Sequence, residues 1–160
     1  MNILEIKKAT IQDLENLTIT MTEAFADDIL LYGEPPYGND PVSEIIKEIK
    51  NNQCFVFIYN NEIIGGMYLV KMSKNEYRLK RIWLSRCKQN IGIGSKLLKE
   101  IELMIIGAKK IALDTPYRSY RNQYFYEKNG YKKIGEKRIE SNELSNLDKN
   151  FTLFEFIKEI

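Results

Sequence analysis

The hydrophobic positions along the chain alternate between a period of two and a period near 3.6, which predicts strands and helices in turn. Residues 2–8 alternate as a first strand. A capping-box spacing at Thr10 begins a helix whose apolar positions recur as far as Phe25. Residues 31–40 contain two glycines and two prolines, which predicts a loop before a second helix starting at Pro41.

Three runs of β-branched and aromatic residues follow and predict an antiparallel meander. Gly65 and Gly66 lie inside the middle run and indicate either a bulge, a close backbone approach or a weak point in that strand. The predicted elements of this second part are strands 54–59, 62–72 and 76–84, a helix bearing Leu97, Leu98, Ile101 and Ile105, strand 110–115, helix 119–129 ending before Gly130, and strands 131–141 and 150–160 joined by the loop 142–149.

The resulting order, β-α-α-β-β-β-α-β-α-β-β, predicts an α/β (α+β) fold with a central sheet flanked by helices. A chain of 160 residues and 18.8 kDa, without repeat or linker, indicates a single domain over residues 1–160. The closing strand is aromatic on both faces. That pattern leaves open burial within one chain or a homodimer interface.

The feature of the composition that most restricts function is the absence of histidine from the sequence. Without histidine, catalytic triads, Cys-His pairs and histidine-ligated metal sites are excluded, and no metal is expected. Two separate cysteines argue against a zinc cluster or a secreted disulfide framework. With 24 basic against 22 acidic side chains and no signal-peptide or membrane-spanning run, we expect a cytoplasmic protein with neither nucleic acid nor membrane as partner.

The segment Gln89–Ser95 lies where a predicted strand feeds a loop and a helix begins. Two glycines there allow backbone N–H groups to approach a ligand, and a helix N-terminus favours phosphate. The spacing is neither that of a P-loop nor that of a dinucleotide fingerprint. Taken alone, the glycines fit an ordinary tight turn more often than a phosphate site.

A second motif, further along the chain, favours the phosphate site over the ordinary tight turn. QNIGIG matches the Q/R-x-x-G-x-G/A signature of the GNAT superfamily of N-acetyltransferases, and FYEKNGYKKIGE, from Phe125 to Glu136, resembles the second signature of that family. The resemblance spans nearly the whole chain. It implies a mixed, mostly antiparallel sheet, acetyl-CoA as cosubstrate without a metal, and an amine as acceptor, either a small molecule or a protein amino group.

The resemblance also assigns roles to single residues. Tyr126 matches the tyrosine that protonates the departing thiolate of CoA. Ser119 stands where the family often has an asparagine that faces the cofactor, and Asn122 stands where alanine is usual. Both residues are candidate cofactor contacts. The strand end that pairs with pantetheine and the pyrophosphate loop are matched by Ile82, Trp83, Leu84, Gln89, Asn90, Ile91, Gly92, Ile93, Gly94 and Ser95. For the Trp83 side chain, ordinary packing is the favoured role.

The acceptor amine must lose a proton, since only about one alkylammonium in a thousand is neutral near pH 7.4. Without histidine, a carboxylate acting through water is the default base. Glu34, Glu76 and Asp114 are the candidates, and each is also explained as a solvated surface group. The function predicted is acetyl transfer from acetyl-CoA to a primary amine. A non-catalytic sensor that binds acyl-CoA is the alternative.

Overall fold

The structure is a computed structural model that describes residues 2–140 and 145–160, and within them one seven-stranded sheet carries helices on both faces. The strands are β1 (Leu4–Lys8), β2 (Cys54–Tyr59), β3 (Glu62–Lys71), β4 (Glu76–Leu84), β5 (Lys110–Pro116), β6 (Lys132–Arg138) and β7 (Thr152–Glu159). The helices are α1 (Leu14–Ala24), α2 (Ala26–Tyr32), α3 (Pro41–Lys50), α4 (Ile93–Met104) and α5 (Tyr120–Lys128), with short 3₁₀ turns at Ile11–Asp13 and Arg86–Lys88.

The strands lie in the order β1-β2-β3-β4-β5-β7-β6. In the described part of the chain, β4 and β5 are parallel, and every other neighbouring pair is antiparallel. The predicted fold class is confirmed: a mixed, mostly antiparallel sheet flanked by helices.

Alternating side chains of the sheet supply two cores, one on each face. Helices α4 and α5 cover one face, where Phe57 and Met67 are fully buried against residues such as Leu97. Helices α1 and α3 cover the other, where Trp83 and Tyr68 pack against α1. The Trp83 indole N–H donates to the Thr20 hydroxyl at 3.0 Å, so its side chain has the packing role favoured from the sequence.

The first helical region differs from its prediction, because it contains two helices and not one. Thr10 does open it, since its N–H donates to the Asp13 carboxylate at 2.8 Å. Helix α1 then ends at Ala24, and α2 begins after Phe25 and continues into the predicted loop until Gly33, whose φ of 89° ends it. None of the described helices is long and apolar enough to cross a membrane.

Gly65 and Gly66 mark a close approach of backbones, one of the interpretations left open by the sequence. A Cβ at Gly65 would lie 2.2 Å from the Trp83 carbonyl oxygen, and one at Gly66 would lie 2.8 Å from the Phe55 carbonyl oxygen. Neither position has room for a larger side chain. The glycines therefore let β3 pack tightly against the end of β4 that borders the candidate site.

The last two strands are shorter than predicted, and residues 141–144, at the end of one predicted strand and the start of the predicted loop, lie outside the described residues. Strand β7 is internal to the sheet, paired with β5 on one side and β6 on the other. Phe156 on this strand is buried in the core. Burial within one chain thus accounts for Phe156.

Candidate active site

The candidate site is built around the place where β4 and β5 stop pairing. The parallel register runs from Glu76 opposite Lys110 to Leu79 opposite Leu113 and goes no further. Beyond it, β4 continues to Leu84 with its β5-facing side unpaired, while β5 remains paired with β7. The divergence opens a notch in the sheet in which free backbone groups of β4 can meet an extended ligand.

The loop Gln89–Ser95 forms one wall of a cavity of about 720 Å³, here called the larger cavity. The Gln89 side chain donates to the Leu84 carbonyl oxygen at 2.8 Å, which ties the loop to the end of β4. Asn90 and Gly92 have φ values of 61° and 88°, and Ile93 begins the 12-residue helix α4. Two left-handed positions one residue apart, just before a helix N-terminus, turn backbone N–H groups of the loop toward a site suited to an anion.

The larger cavity gathers almost all of the cofactor residues predicted from sequence. Those that line it are Ile82, Trp83, Leu84, Gln89, Asn90, Gly92, Gly94, Ser95, Ser119 and Asn122, and the predicted catalytic residue Tyr126 lines it as well. Two others lie elsewhere, since the Ile91 residue is 63% exposed and Ile93 is buried in the core. Gly94 has a packing role as well, because a Cβ there would lie 3.0 Å from the Phe125 ring.

Tyr126 lies on α5 and lines the larger cavity. Its residue is 7% exposed, and its ring packs against Phe125, Tyr131 and Phe156 with centroid distances of 5.3, 5.7 and 6.2 Å. Burial raises the pKa of Tyr126 well above that of an ordinary tyrosine. Its phenol therefore stays protonated at neutral pH and can act as a proton donor.

A second cavity of about 440 Å³, here called the smaller cavity, is also lined by Tyr126. Five residues line both cavities, and they are Phe25, Asp28, Ile82, Asn122 and Tyr126. The two cavities therefore adjoin where these residues lie, beside the notch of the sheet. Two ligands, one in each cavity, would come together at this junction.

The base candidates predicted from sequence separate in the structure. Glu34 and Asp114 line the smaller cavity, whereas Glu76 lines neither cavity and lies 3.6 Å from the Lys110 ammonium. Asp114 forms an ion pair with Arg78 at 3.0 Å. Glu34 accepts a hydrogen bond from the Ser145 hydroxyl at 3.0 Å.

The cations of the smaller cavity are held by carboxylates of α3. Lys80 pairs with Glu48 at 2.6 Å, and Arg81 pairs with Glu44. Glu48 is 1% exposed, and its Oε1 accepts a hydrogen bond from the Lys80 ammonium. Among the described residues, Asp28 on α2 and Glu34 after it form no ion pair, whereas Asp27 pairs with Arg86 at 3.0 Å.

Asp28 is a functional candidate that is not among the base candidates predicted from the sequence. It lies on α2 and lines both cavities. Burial, with a smaller contribution from Asp27, raises the pKa of Asp28 from 3.8 to about 6, although Arg81 opposes the shift. The break at Phe25 that turns Asp28 inward left no clear signal in the sequence pattern, because apolar spacing continues across it.

Helix α2 is attached to the start of α5, which closes one side of the junction. The Arg118 guanidinium donates to the Leu31 carbonyl oxygen at 3.1 Å, and the Tyr32 and Ser119 hydroxyls share a hydrogen bond of 2.7 Å. Ser119 thus contacts α2 as well as lining the larger cavity. Cationic side chains at the same cavity, Arg121 and Lys128, are seven residues apart on one helix face and were also missed.

The site thus combines a notched, mostly antiparallel sheet with a loop before α4 whose shape suits an anion. Residues 50–133 match the family model described as an acetyltransferase (GNAT) domain. The match covers just over half of the chain, so the protein belongs to the GNAT acetyltransferase family and is an acyltransferase. A search of curated protein sequences found no significant match.

Solved structures of the same fold cover nearly the whole chain. The ribosomal-protein-S18-alanine N-acetyltransferase from Escherichia coli superposes with a TM-score of 0.76 at 15% identity, covering 99% of this chain and 94% of its own. The PaiA N-acetyltransferase from Thermoplasma acidophilum, in complex with coenzyme A, gives 0.70 at 23% identity with 99% of both chains covered. A GNAT family acetyltransferase from Elizabethkingia anophelis with acetyl-CoA bound gives 0.67 at 20% identity, covering 99% of this chain and 98% of its own.

Proposed function

We propose that the protein transfers the acetyl group of acetyl-CoA to a primary amine by direct attack on the thioester. The observation that carries the proposal is the meeting of two cavities at Tyr126, because direct transfer requires both substrates at one place. The similar solved structures include one with coenzyme A and one with acetyl-CoA bound. One sheet and its helices line both cavities, so we treat residues 1–160 as a single catalytic domain.

The larger cavity has the features that acetyl-CoA requires. Backbone N–H groups of Gln89–Ser95 and the N-terminus of α4 suit the pyrophosphate, and Arg121 and Lys128 add positive charge near it. The unpaired side of β4 around Ile82 suits the amide groups of pantetheine. When bound, acetyl-CoA supplies an electrophilic thioester carbonyl.

The smaller cavity takes the acceptor in this proposal. Glu34, Asp114 and Tyr126 line it, and we place the two carboxylates in contact with the amine. Tyr126 donates its phenolic proton to the departing thiolate and thereby makes it a better leaving group. The acceptor class is a primary amine, and the similar Escherichia coli enzyme, a ribosomal-protein-S18-alanine N-acetyltransferase, supports an amino group as acceptor.

Removing the Tyr126 hydroxyl tests this proposal directly. We expect Tyr126→Phe to bind acetyl-CoA with unchanged affinity and to lose at least about tenfold in kcat, since only the proton donor is removed. The assay measures thiol release from acetyl-CoA with n-propylamine, 1,3-diaminopropane and an alanyl peptide as acceptors. Calorimetry of acetyl-CoA binding provides the affinity.

Tyr131→Phe is a matched control. Tyr131 is also buried and touches the Tyr126 ring, its hydroxyl has no hydrogen-bond partner among the described residues, and it lines neither cavity. Its loss should leave kcat unchanged. If Tyr126→Phe retains full turnover, Tyr126 is not the acid; if the intact protein binds acetyl-CoA but acetylates none of the amines, a non-catalytic acyl-CoA sensor replaces the enzyme.

A further inference from the structure

The junction of the two cavities holds one carboxylate that the acyl transfer described above does not use. Among the described residues, the carboxylates that line either cavity are Asp27, Asp28, Glu34 and Asp114, and of these only Asp28 lines both. An amine that attacks a thioester must be deprotonated where it meets the carbonyl carbon. Position alone therefore separates Asp28 from Glu34 and Asp114, which line the smaller cavity only.

We infer that Asp28 is the general base that takes the proton from the acceptor ammonium at the junction. The inference rests on the proposed acetyl transfer and deepens it by naming a catalytic residue. Asp28 differs from Asp114 in a second respect, since Asp114 is engaged by Arg78 at 3.0 Å, whereas Asp28 has no ion-pair partner among the described residues. An unengaged carboxylate keeps its lone pairs for the substrate.

The groups around Asp28 determine its pKa and hence its strength as a base. The titratable groups that face it are Asp27 and Tyr32 on α2, Tyr37 on the following loop, Arg81 on β4 and Tyr126 on α5. Arg81 also pairs with Glu44, so its charge is shared. Partial burial among aromatic rings raises the pKa of Asp28 to about 6, which leaves it ionised at neutral pH and more basic than an exposed aspartate.

The proton balance of the reaction is complete with these groups. Asp28 takes one proton from R–NH₃⁺, and the nitrogen lone pair forms the C–N bond to the acetyl carbon as the C–S bond breaks. Tyr126 protonates the departing sulfur and is reprotonated by the second proton leaving nitrogen. Asp28 then releases its proton to solvent, so acetyl-CoA and R–NH₃⁺ give R–NH–CO–CH₃, CoA–SH and H⁺.

The test is the pH dependence of Asp28→Asn, measured as thiol release with n-propylamine, 1,3-diaminopropane and an alanyl peptide. We expect kcat/KM of the intact protein to fall below about pH 6, where Asp28 becomes protonated. At pH 7 the variant should be about a hundredfold slower. Its deficit should shrink as the pH rises toward the pKa of the amine, because free amine then forms without help.

Asp40→Asn is the matched control, with the same chemical change in the same part of the chain. Asp40 caps α3 through a 2.9 Å hydrogen bond from the Ser43 N–H and lines neither cavity, and asparagine caps helices equally well. This variant should keep both rate and pH profile. Carboxyl ¹³C titration of the intact protein, compared with Asp28→Asn, should assign a midpoint near 6 to Asp28 without any acceptor present.

The outcomes separate this inference from the proposed function. Intact protein that acetylates amines, together with an Asp28→Asn variant that keeps the same acid limb, overturns the base alone. An Asp28→Asn variant that is as fast as the intact protein at pH 7 also overturns it. Intact protein that acetylates none of the three amines, with unaltered acetyl-CoA binding, overturns the proposed function and the base with it.

Discussion

The two sides of the candidate site are made from different parts of the chain. The larger cavity relies on main-chain geometry, with left-handed residues at Asn90 and Gly92 and a helix N-terminus after them. The smaller cavity relies on side chains, above all Asp28, Glu34 and Tyr126. A site made of backbone can be damaged only by changing the path of the loop, whereas a site made of side chains can be altered one group at a time.

The largest effect should come from forcing a side chain onto the main-chain half. Gly92 has φ 88°, and nothing lies within 4 Å of a Cβ built there, so Gly92→Val fits sterically but strains the backbone. Strain of about 1–3 kcal/mol is expected for such a residue. If the loop relaxes to relieve it, the N–H array is lost, and acetyl-CoA affinity should fall about ten- to a hundredfold by calorimetry.

Gly107→Val supplies the control for that strain. Gly107 has φ 93°, also with nothing within 4 Å of a Cβ, and it follows α4 at the end remote from the loop. Thermal unfolding should show a similar loss of stability for both variants. Acetyl-CoA affinity should stay unchanged in Gly107→Val, and an unchanged affinity in Gly92→Val would mean that this loop does not hold the cofactor.

The same difference decides how much of the molecule could be predicted from sequence. The meander and α4 follow from hydrophobic periodicity, and the Gln89–Ser95 loop could be found because special φ values select glycine, which leaves a trace in the sequence. The break at Phe25 could not, because the apolar spacing of α1 runs on into α2. Asp28 was missed for the same reason, since its burial depends on tertiary packing of α2.

A second, smaller effect should appear in stability. The pKa of Asp28 in the folded protein is about 6, above its ordinary value of 3.8. The folded state therefore binds a proton at Asp28 more tightly than the unfolded state does. Ionised Asp28 therefore destabilises the fold above about pH 6, and this cost is relieved as the pH falls toward 3.8. Allowing for solvent screening, Asp28→Asn should raise the free energy of unfolding by about 1–2 kcal/mol at pH 7.5.

Urea unfolding at pH 7.5 and at pH 4.5 measures this stability difference. The gain from Asp28→Asn should shrink at the lower pH. Asp40→Asn should give no gain at pH 7.5, because hydrogen bonds from Ser43 lower the pKa of Asp40 and favour its ionised form. A variant that loses rate but gains stability would show that the acceptor half keeps a strained charge for function. Equal stability of Asp28→Asn and the intact protein at both pH values would contradict this interpretation.

The smallest effect should be seen in the preference between acceptor amines, and it tests the charge of Glu34. Lys80 and Arg81 are engaged by Glu48 and Glu44, whereas Glu34 accepts a hydrogen bond from a neutral hydroxyl, so the smaller cavity presents net negative charge on this side. A second cation on the acceptor should then be favoured. We expect 1,3-diaminopropane to exceed n-propylamine in kcat/KM, and Glu34→Gln to reduce that preference by up to about fivefold, the scale of a partly exposed ion pair. The preference should weaken at high salt, because screening acts on exposed charges.

Glu62→Gln, the same change on β3 at a residue that lines neither cavity, should leave the ratio of the two kcat/KM values unchanged. If Glu34→Gln slows both amines equally, Glu34 acts on the shape of the cavity and not through its charge.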